Sequence, residues 1–231
     1  MNRESVIAPR WQGTAIRAVL FDLDGTLVDT APDLGAAANV VRERAGLAPL
    51  PLAEYRSHAS AGARGLIGKA LGIGPEHPDY PAHRELFLTH YRAHIAERSR
   101  LFDGIDTLLR RIESGDRRWG VVTNKPSWLT RPLLDALDLS ARCACSVSAD
   151  EVAQAKPAPD SLLRACALLG LEPSACVYVG DDERDIVAGR AAGIPTIAAA
   201  WGYLGNGAAI SDWGADAIVE TPNTLTELLH A

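Results

Sequence analysis

Alternation constrains this chain more than anything else in it. "AIRAVLF" (15–21), "WGVVT" (119–123), "CVYVG" (176–180) and "TIAAAW" (196–201) are short, mainly apolar runs, the pattern of parallel strands covered on both faces. "CACSVSA" (143–149) is a weaker run, and "DAIVE" (216–220) reads as an edge strand. Between them lie "GIDTLLRRIES" (104–114), "SWLTRPLLDALDL" (127–139), "PDSLLRACALLGL" (159–171) and "RDIVAGRAAGI" (184–194), with apolar residues at helical spacing. Gly170 and Gly193 stand where the last two helices would stop. Strands and helices alternating at this pitch predict an α/β fold with a doubly wound, Rossmann-like parallel sheet.

Residues 31–100 break the rhythm. "APDLGAAANVVRERAGL", "LAEYRSHASAGARGLIGKALGI" and "PAHRELFLTHYRAHIAERS" read as three helices with no strand between them. An inserted α-helical domain is expected there, with hinges at 30–31 and 98–104. Residues 15–30 and 101–231 then form the sheet domain, and 1–14 a loose polar lead-in. The chain has 231 residues, 47% of them hydrophobic, enough for a substantial core.

The formal charge of −6 argues against a general nucleic-acid or acidic-membrane binder, since both require basic patches. No apolar run approaches the roughly 20 residues of a membrane helix, and the N-terminal residues lack the apolar core of a signal peptide. A cytoplasmic protein is expected, as monomer or homodimer. Cys143, Cys145, Cys166 and Cys176 form no CxxC and read as free thiols. His90 and His94 have a zinc-compatible i, i+4 spacing but no HExxH frame, so they read as surface or packing histidines.

The clear strands end in polar groups: the first in Asp22, the second in Thr123-Asn124, the third in Asp181. In open α/β sheets ligands bind beyond the carboxyl ends of the strands, so these distant residues are expected to meet in one crevice. Asp22 and Asp24 are two apart on extended chain and face the same way, with Leu23 turned to the core. Gly25 lets the chain turn and Thr26 can hydrogen-bond locally or to a ligand. Crowded carboxylates repel. A divalent cation is the usual remedy, and Mg²⁺ is commonly held by one or two carboxylates with phosphate oxygens and water. Asp181 and Asp185 would complete such a site, and Lys156 of "AKPAP" offers a further positive charge.

"DLDGTLVD", "VVTNK", "KP" and "GDDERD", in that order, resemble the four signature motifs of the haloacid dehalogenase superfamily, phosphatase branch. The resemblance implies a phosphomonoesterase acting on a small phosphorylated metabolite. Asp22 would be the nucleophile that becomes an aspartyl phosphate, and Asp24 the acid and then the base. The Asp22 carboxylate, the Asp24 backbone carbonyl and Asp181 would hold Mg²⁺, with Asp185 orienting water at the ion. Thr123, Asn124 and Gly25 would contact phosphate and Lys156 would neutralise it. Position 182 carries Asp where many relatives have a small polar residue; a helix N-cap is the favoured reading over a second metal contact. Asp29 is expected as a helix cap or hinge contact rather than a catalyst.

The inserted segment resembles the superfamily's helical cap, which closes over the crevice and reads the leaving group. Its candidate reader is Arg64 in "SAGARGL" (60–66), where two glycines suggest a loop close to ligand; a solvated surface arginine is the equal alternative. "DTAPDL", "VVTNKP" and "WGY" are similar to phosphoglycolate phosphatases, which would make 2-phosphoglycolate the substrate. "SAGAR", "WGVVTNKP" and "GDDERDI" are similar to N-acetylmuramic acid 6-phosphate phosphatases. A phosphomutase of the same superfamily is the further alternative.

Overall fold

The computed structural model describes residues 15–115 and 117–230; the lead-in expected at 1–14 lies outside them. The strands are β1 (Ala18–Phe21), β2 (Val28–Asp29), β3 (Arg100–Leu101), β4 (Arg118–Thr123), β5 (Cys145–Ser148), β6 (Cys176–Gly180), β7 (Thr196–Ala199) and β8 (Ala217–Val219). The helices are α1 (Ala31–Arg44), α2 (Ala53–Arg56), α3 (Gly62–Leu71), α4 (Tyr80–Ala93), α5 (Ile105–Ser114), α6 (Ser127–Ala136), α7 (Asp160–Leu169), α8 (Glu183–Ala191) and α9 (Pro222–His230).

Six strands form a parallel sheet in the order β5-β4-β1-β6-β7-β8. The chain runs outward from β1 to β5, then crosses back and runs outward from β6 to β8, so the order reverses between β1 and β6. That junction is where an open α/β sheet leaves a crevice. Phe21 pairs in register with Val121 and with Val179. Asp22, Thr123 and Asp181 therefore emerge within two residues of one level.

Alternation along β1 distributes the core. Val19 and Phe21 enter the apolar cluster containing Leu108, Leu109 and Ile112 of α5, while Ala18 and Leu20 enter the opposite one with Leu162 and Ala165 of α7. In α5 the buried residues Ile105, Leu108, Leu109 and Ile112 stand at i, i+3, i+4 and i+7, a single helical stripe.

Between β2 and β3 the chain forms α1 to α4, which gather Leu34, Val41, Tyr55, Leu66, Ile67, Phe87 and Tyr91 into a separate apolar cluster. Leu129 and Tyr203, from outside the segment, join it. The single helix expected over 52–73 is broken instead into α2, a 3₁₀ turn at Ala59–Ala61 and α3. Gly62, at φ +57° and ψ −149°, adopts a backbone conformation that almost only glycine reaches, and it separates the last two pieces. The sequence reading also missed β2, β3 and α9. Val28 pairs antiparallel with Leu101 and Asp29 with Arg100, so the two ends of the helical segment lie side by side.

Candidate active site

Asp22 follows β1 directly and its backbone N–H donates to Val179 O at 2.9 Å, which fixes the carboxylate at the strand junction. It is nearly buried. Burial, reinforced by Asp185 and Asp24 and opposed by Lys156, pushes its pKa up to about 6. Leu23 turns into the core and is fully buried. Asp24 returns to the crevice that Asp22 lines.

Asp181 is fully buried and accepts Thr26 Oγ1 at 2.7 Å and Tyr203 N at 2.8 Å. Burial first, then Asp22 and Asp185, raise its carboxyl well above the usual range. Its position depends on a missing side chain. Gly25 has φ +96°, and a Cβ there would lie 2.3 Å from Asp181 Oδ2. Gly25 is thus the residue that lets the acidic turn approach.

Lys156 is buried between carboxylates. Its ammonium donates to Asp22 Oδ1 at 2.8 Å, Asp185 Oδ1 at 2.6 Å, Tyr178 OH at 2.7 Å and Val122 O at 3.1 Å. Burial opposes its charge, but Asp185 and Asp22 outweigh that and raise its pKa. Asn124 holds the lysine's backbone from both sides: Nδ2 donates to Lys156 O at 2.9 Å and Oδ1 accepts from Lys156 N at 3.1 Å. The Asn124 side chain, expected against phosphate, is therefore occupied in placing Lys156. Thr123 Oγ1 accepts from Lys125 N at 3.1 Å, which leaves its own hydroxyl hydrogen available to a ligand.

Carboxylate oxygens of Asp22, Asp181 and Asp185 lie within 4.8 Å of one another. Lys156 pairs with Asp22 and Asp185 and not with Asp181, so the three buried carboxylates form an all-oxygen donor set that one lysine does not neutralise, which suits a hard divalent cation such as Mg²⁺. The Asp24 carboxylate stands apart from this group.

The sequence reading missed Asp24's own partner. Lys125, also nearly buried, donates to Asp24 Oδ1 at 3.0 Å and Oδ2 at 3.2 Å, and to Tyr91 OH of α4 at 2.9 Å. Burial opposes the Lys125 charge, and Asp24 and Tyr91 outweigh it. Thr30 Oγ1 donates to Asp24 Oδ1 at 2.6 Å. Lys125 was in plain view inside "VVTNK", but its neighbours Asp24 and Tyr91 are 101 and 34 positions away, and no local spacing shows that.

Asp182 is the N-cap of α8. Its side chain accepts Arg184 N at 3.0 Å, while Asp185 Oδ2 accepts Asp182 N at 3.1 Å, a reciprocal capping box. Arg184 grips Asp182 with Nε at 2.7 Å and Nη2 at 2.8 Å, and the same Nη2 donates to Ser60 O at 2.9 Å. Asp29 takes a hinge contact: it accepts Tyr203 OH at 2.9 Å and pairs with Arg56. Arg64 lines the crevice as expected, but from the first turn of α3 rather than from a loop. His90 and His94 stack at 4.1 Å, and among the described residues no third ligand joins them. The four cysteines are free. No described helix is long and apolar enough to cross a membrane. The crevice holds about 340 Å³.

A family model described as haloacid dehalogenase-like hydrolase matches residues 16–193. The chain is 45% identical over 215 residues to a phosphoglycolate phosphatase of Xanthomonas campestris pv. campestris, covering 91% of this chain and 95% of the relative. It is 42% identical over 214 residues to an N-acetylmuramic acid 6-phosphate phosphatase of Pseudomonas aeruginosa, covering 93% and 95%. The crystal structure of a predicted phosphoglycolate phosphatase from Haemophilus somnus superposes with a TM-score of 0.83 at 24% identity, over 94% of this chain and 99% of that one; that likeness concerns the fold.

Proposed function

The chain belongs to the haloacid dehalogenase-like hydrolases and is a phosphoric monoester hydrolase, and from that premise we propose that it works through an aspartyl-phosphate intermediate, with Mg²⁺, on a small phosphorylated hydroxy acid. The observation that carries the reading is the Asp22 carboxylate at the reversal of the sheet, held at 2.8 Å by Lys156 and facing Asp181 and Asp185.

Asp22, Asp181 and the Asp24 backbone carbonyl would hold Mg²⁺, with Asp185 beside them. When bound, the ion supplies positive charge against the phosphate oxygens. With Oδ1 held by Lys156, Oδ2 of Asp22 is the oxygen left to attack phosphorus. A new O–P bond forms, the bond from phosphorus to the leaving oxygen breaks, and Asp24 gives that oxygen a proton. Asp24 then takes a proton from the water that hydrolyses the acyl phosphate, one carboxyl serving both half-reactions. The Thr123 hydroxyl and the main chain at Asn124 would hold phosphate oxygens, so that catalysis is mainly positioning and charge stabilisation. Residues 31–100 would act as a cap that excludes water and contacts the leaving group, with Arg64 as one reader.

The relatives support 2-phosphoglycolate as substrate. A second reading, N-acetylmuramic acid 6-phosphate, is supported by the relative that is 42% identical to this chain. Phosphate release with and without Mg²⁺, on both substrates and on p-nitrophenyl phosphate, tests the proposal. The wild type is expected to be Mg²⁺-dependent. Asp22→Asn, near-isosteric, is expected to lose turnover while melting close to wild type. Turnover retained by that variant would remove Asp22 as the nucleophile.

A further inference from the structure

Tyr178 of β6 takes no part in the reaction as proposed, yet its hydroxyl sits within the buried charge cluster. The residue is fully buried in the apolar cluster of Leu20 and Leu162. It does not line the crevice, whereas Lys156 does. Its hydroxyl oxygen lies 2.7 Å from Lys156 Nζ, 2.9 Å from Val122 O and 3.0 Å from Asp185 Oδ1. The Lys156 ammonium in turn reaches Asp22 Oδ1 at 2.8 Å, Asp185 Oδ1 at 2.6 Å and Val122 O at 3.1 Å.

These six contacts share four hydrogens, three on the ammonium and one on the hydroxyl. Two assignments leave neither carboxylate oxygen nor the carbonyl bare. In the first, Lys156 donates to Asp22, Asp185 and the Tyr178 oxygen, and Tyr178 donates to Val122 O. In the second, Tyr178 donates to Asp185, and Lys156 serves Asp22 and Val122 O with two of its hydrogens. The second assignment leaves one ammonium hydrogen uncommitted, on a side chain that lines the crevice. The two differ only by rotation of the hydroxyl and the ammonium, and no proton changes owner.

We propose that Tyr178 is a positioning residue that lets Lys156 take hold of a phosphoryl oxygen without abandoning a buried acceptor. Without phosphate, the hydroxyl faces Val122 O and all three ammonium hydrogens are engaged. When phosphate enters, the hydroxyl turns to Asp185 Oδ1, and Lys156 donates the hydrogen thus released to the phosphoryl oxygen. Asp22 Oδ1 keeps its ammonium contact throughout. With phenylalanine at 178, the three ammonium hydrogens serve Asp22, Asp185 and Val122 O, and none is left over. A phosphate contact then leaves one buried acceptor unsatisfied, which is costly. This inference rests on the phosphomonoesterase reading.

The test is Tyr178→Phe, assayed with Mg²⁺ on p-nitrophenyl phosphate with inorganic phosphate as competitive inhibitor. The inhibition constant of phosphate is expected to rise about tenfold or more, and kcat/KM to fall at least as far. The Mg²⁺-induced rise in Tm, measured without phosphate, should stay close to wild type, because the variant still has a hydrogen for every acceptor in that state. A purely structural hydroxyl would weaken Mg²⁺ and phosphate together, and that outcome overturns the proposal. Unchanged inhibition by phosphate overturns it as well. Wild-type crystals grown with Mg²⁺ and orthovanadate give a second measurement that does not depend on how the variant folds. Lys156 Nζ is expected about 2.7–3.2 Å from a vanadate oxygen, with the Tyr178 hydroxyl still in hydrogen-bond range of Asp185. A lysine out of reach of the vanadate, or a hydroxyl drawn away from Asp185, would overturn the proposal. No phosphate release from p-nitrophenyl phosphate or any other phosphomonoester by the wild type would instead remove the phosphomonoesterase reading and this one with it.

Discussion

The Lys125 ammonium lies 3.0 Å from one carboxylate oxygen of Asp24 and 3.2 Å from the other, and 4.5 Å from the centre of the Tyr91 ring. The proposed proton carrier is thus held by a cation of the sheet domain that is itself touched by a residue of the helical segment. The helical segment and the setting of Asp24 share one side chain.

Lys125→Met should therefore lower kcat far more than it raises KM. A positioned acid-base group contributes typically 10²–10⁴-fold, and a drop of about 10²-fold is expected when Asp24 loses its anchor. Lys125→Arg should recover part of it. Steady-state kinetics alongside thermal melts check this; unchanged kcat in a folded Lys125→Met variant would show that the ion pair has no part in turnover.

Lys156→Met should be costly to the fold as well as to the chemistry. It leaves Asp22 and Asp185 buried without their cation, and breaking a buried pair by removing one partner costs about 3–5 kcal/mol. Urea denaturation should show a loss of that order without Mg²⁺, and a smaller one with it, because the ion answers the same negative charge.

Mg²⁺ should stabilise the protein more at pH 7.5 than at pH 5. Burial raises Asp22 from 3.8 to about 6 and pushes Asp181 the same way. Across that window the folded protein keeps a proton that the unfolded chain has released, so stability is present below the unfolded value and lost as pH rises through the folded one. Mg²⁺ competes with the proton for the same oxygens, and its benefit grows as the proton leaves. Each displaced pH unit is worth about 1.4 kcal/mol, or roughly 3–6 °C in Tm for a chain of this size. Differential scanning fluorimetry at the two pH values should show the larger Mg²⁺ shift at pH 7.5; an equal or reversed shift would mean that these carboxyls do not hold the ion.

Gly25→Ala should lose both activity and the Mg²⁺-induced rise in Tm. The new Cβ would lie 2.3 Å from Asp181 Oδ2 on a backbone at φ +96°, which L side chains rarely adopt. The Asp181 carboxylate or the Gly25 turn must shift. Calorimetric titration of Mg²⁺ into the variant should show weakened binding, and wild-type affinity would contradict the assignment of Asp181.

The sheet was legible because its strands carry their signal locally, in short apolar runs, and the three central ones, β1, β4 and β6, run into polar residues. Asp22 and Asp181 could be brought together from that pattern plus the rule that strand ends converge, while Lys156 entered by charge balance and by the resemblance of its motif. Lys125 could not, since its meaning lies in contacts with Asp24 and Tyr91 across the fold. The break between α2 and α3 was missed because helical periodicity continues through Gly62, and periodicity does not record a backbone at φ +57°.

Val28 faces Leu101 and Asp29 faces Arg100, so some seventy residues leave and rejoin the sheet at neighbouring points. A segment attached in this way can be lengthened, shortened or exchanged over generations without disturbing the register of a single sheet strand. In the proposed division of labour, reactivity and selectivity reside on stretches of chain that can change separately, and a change of diet need not reinvent the reaction.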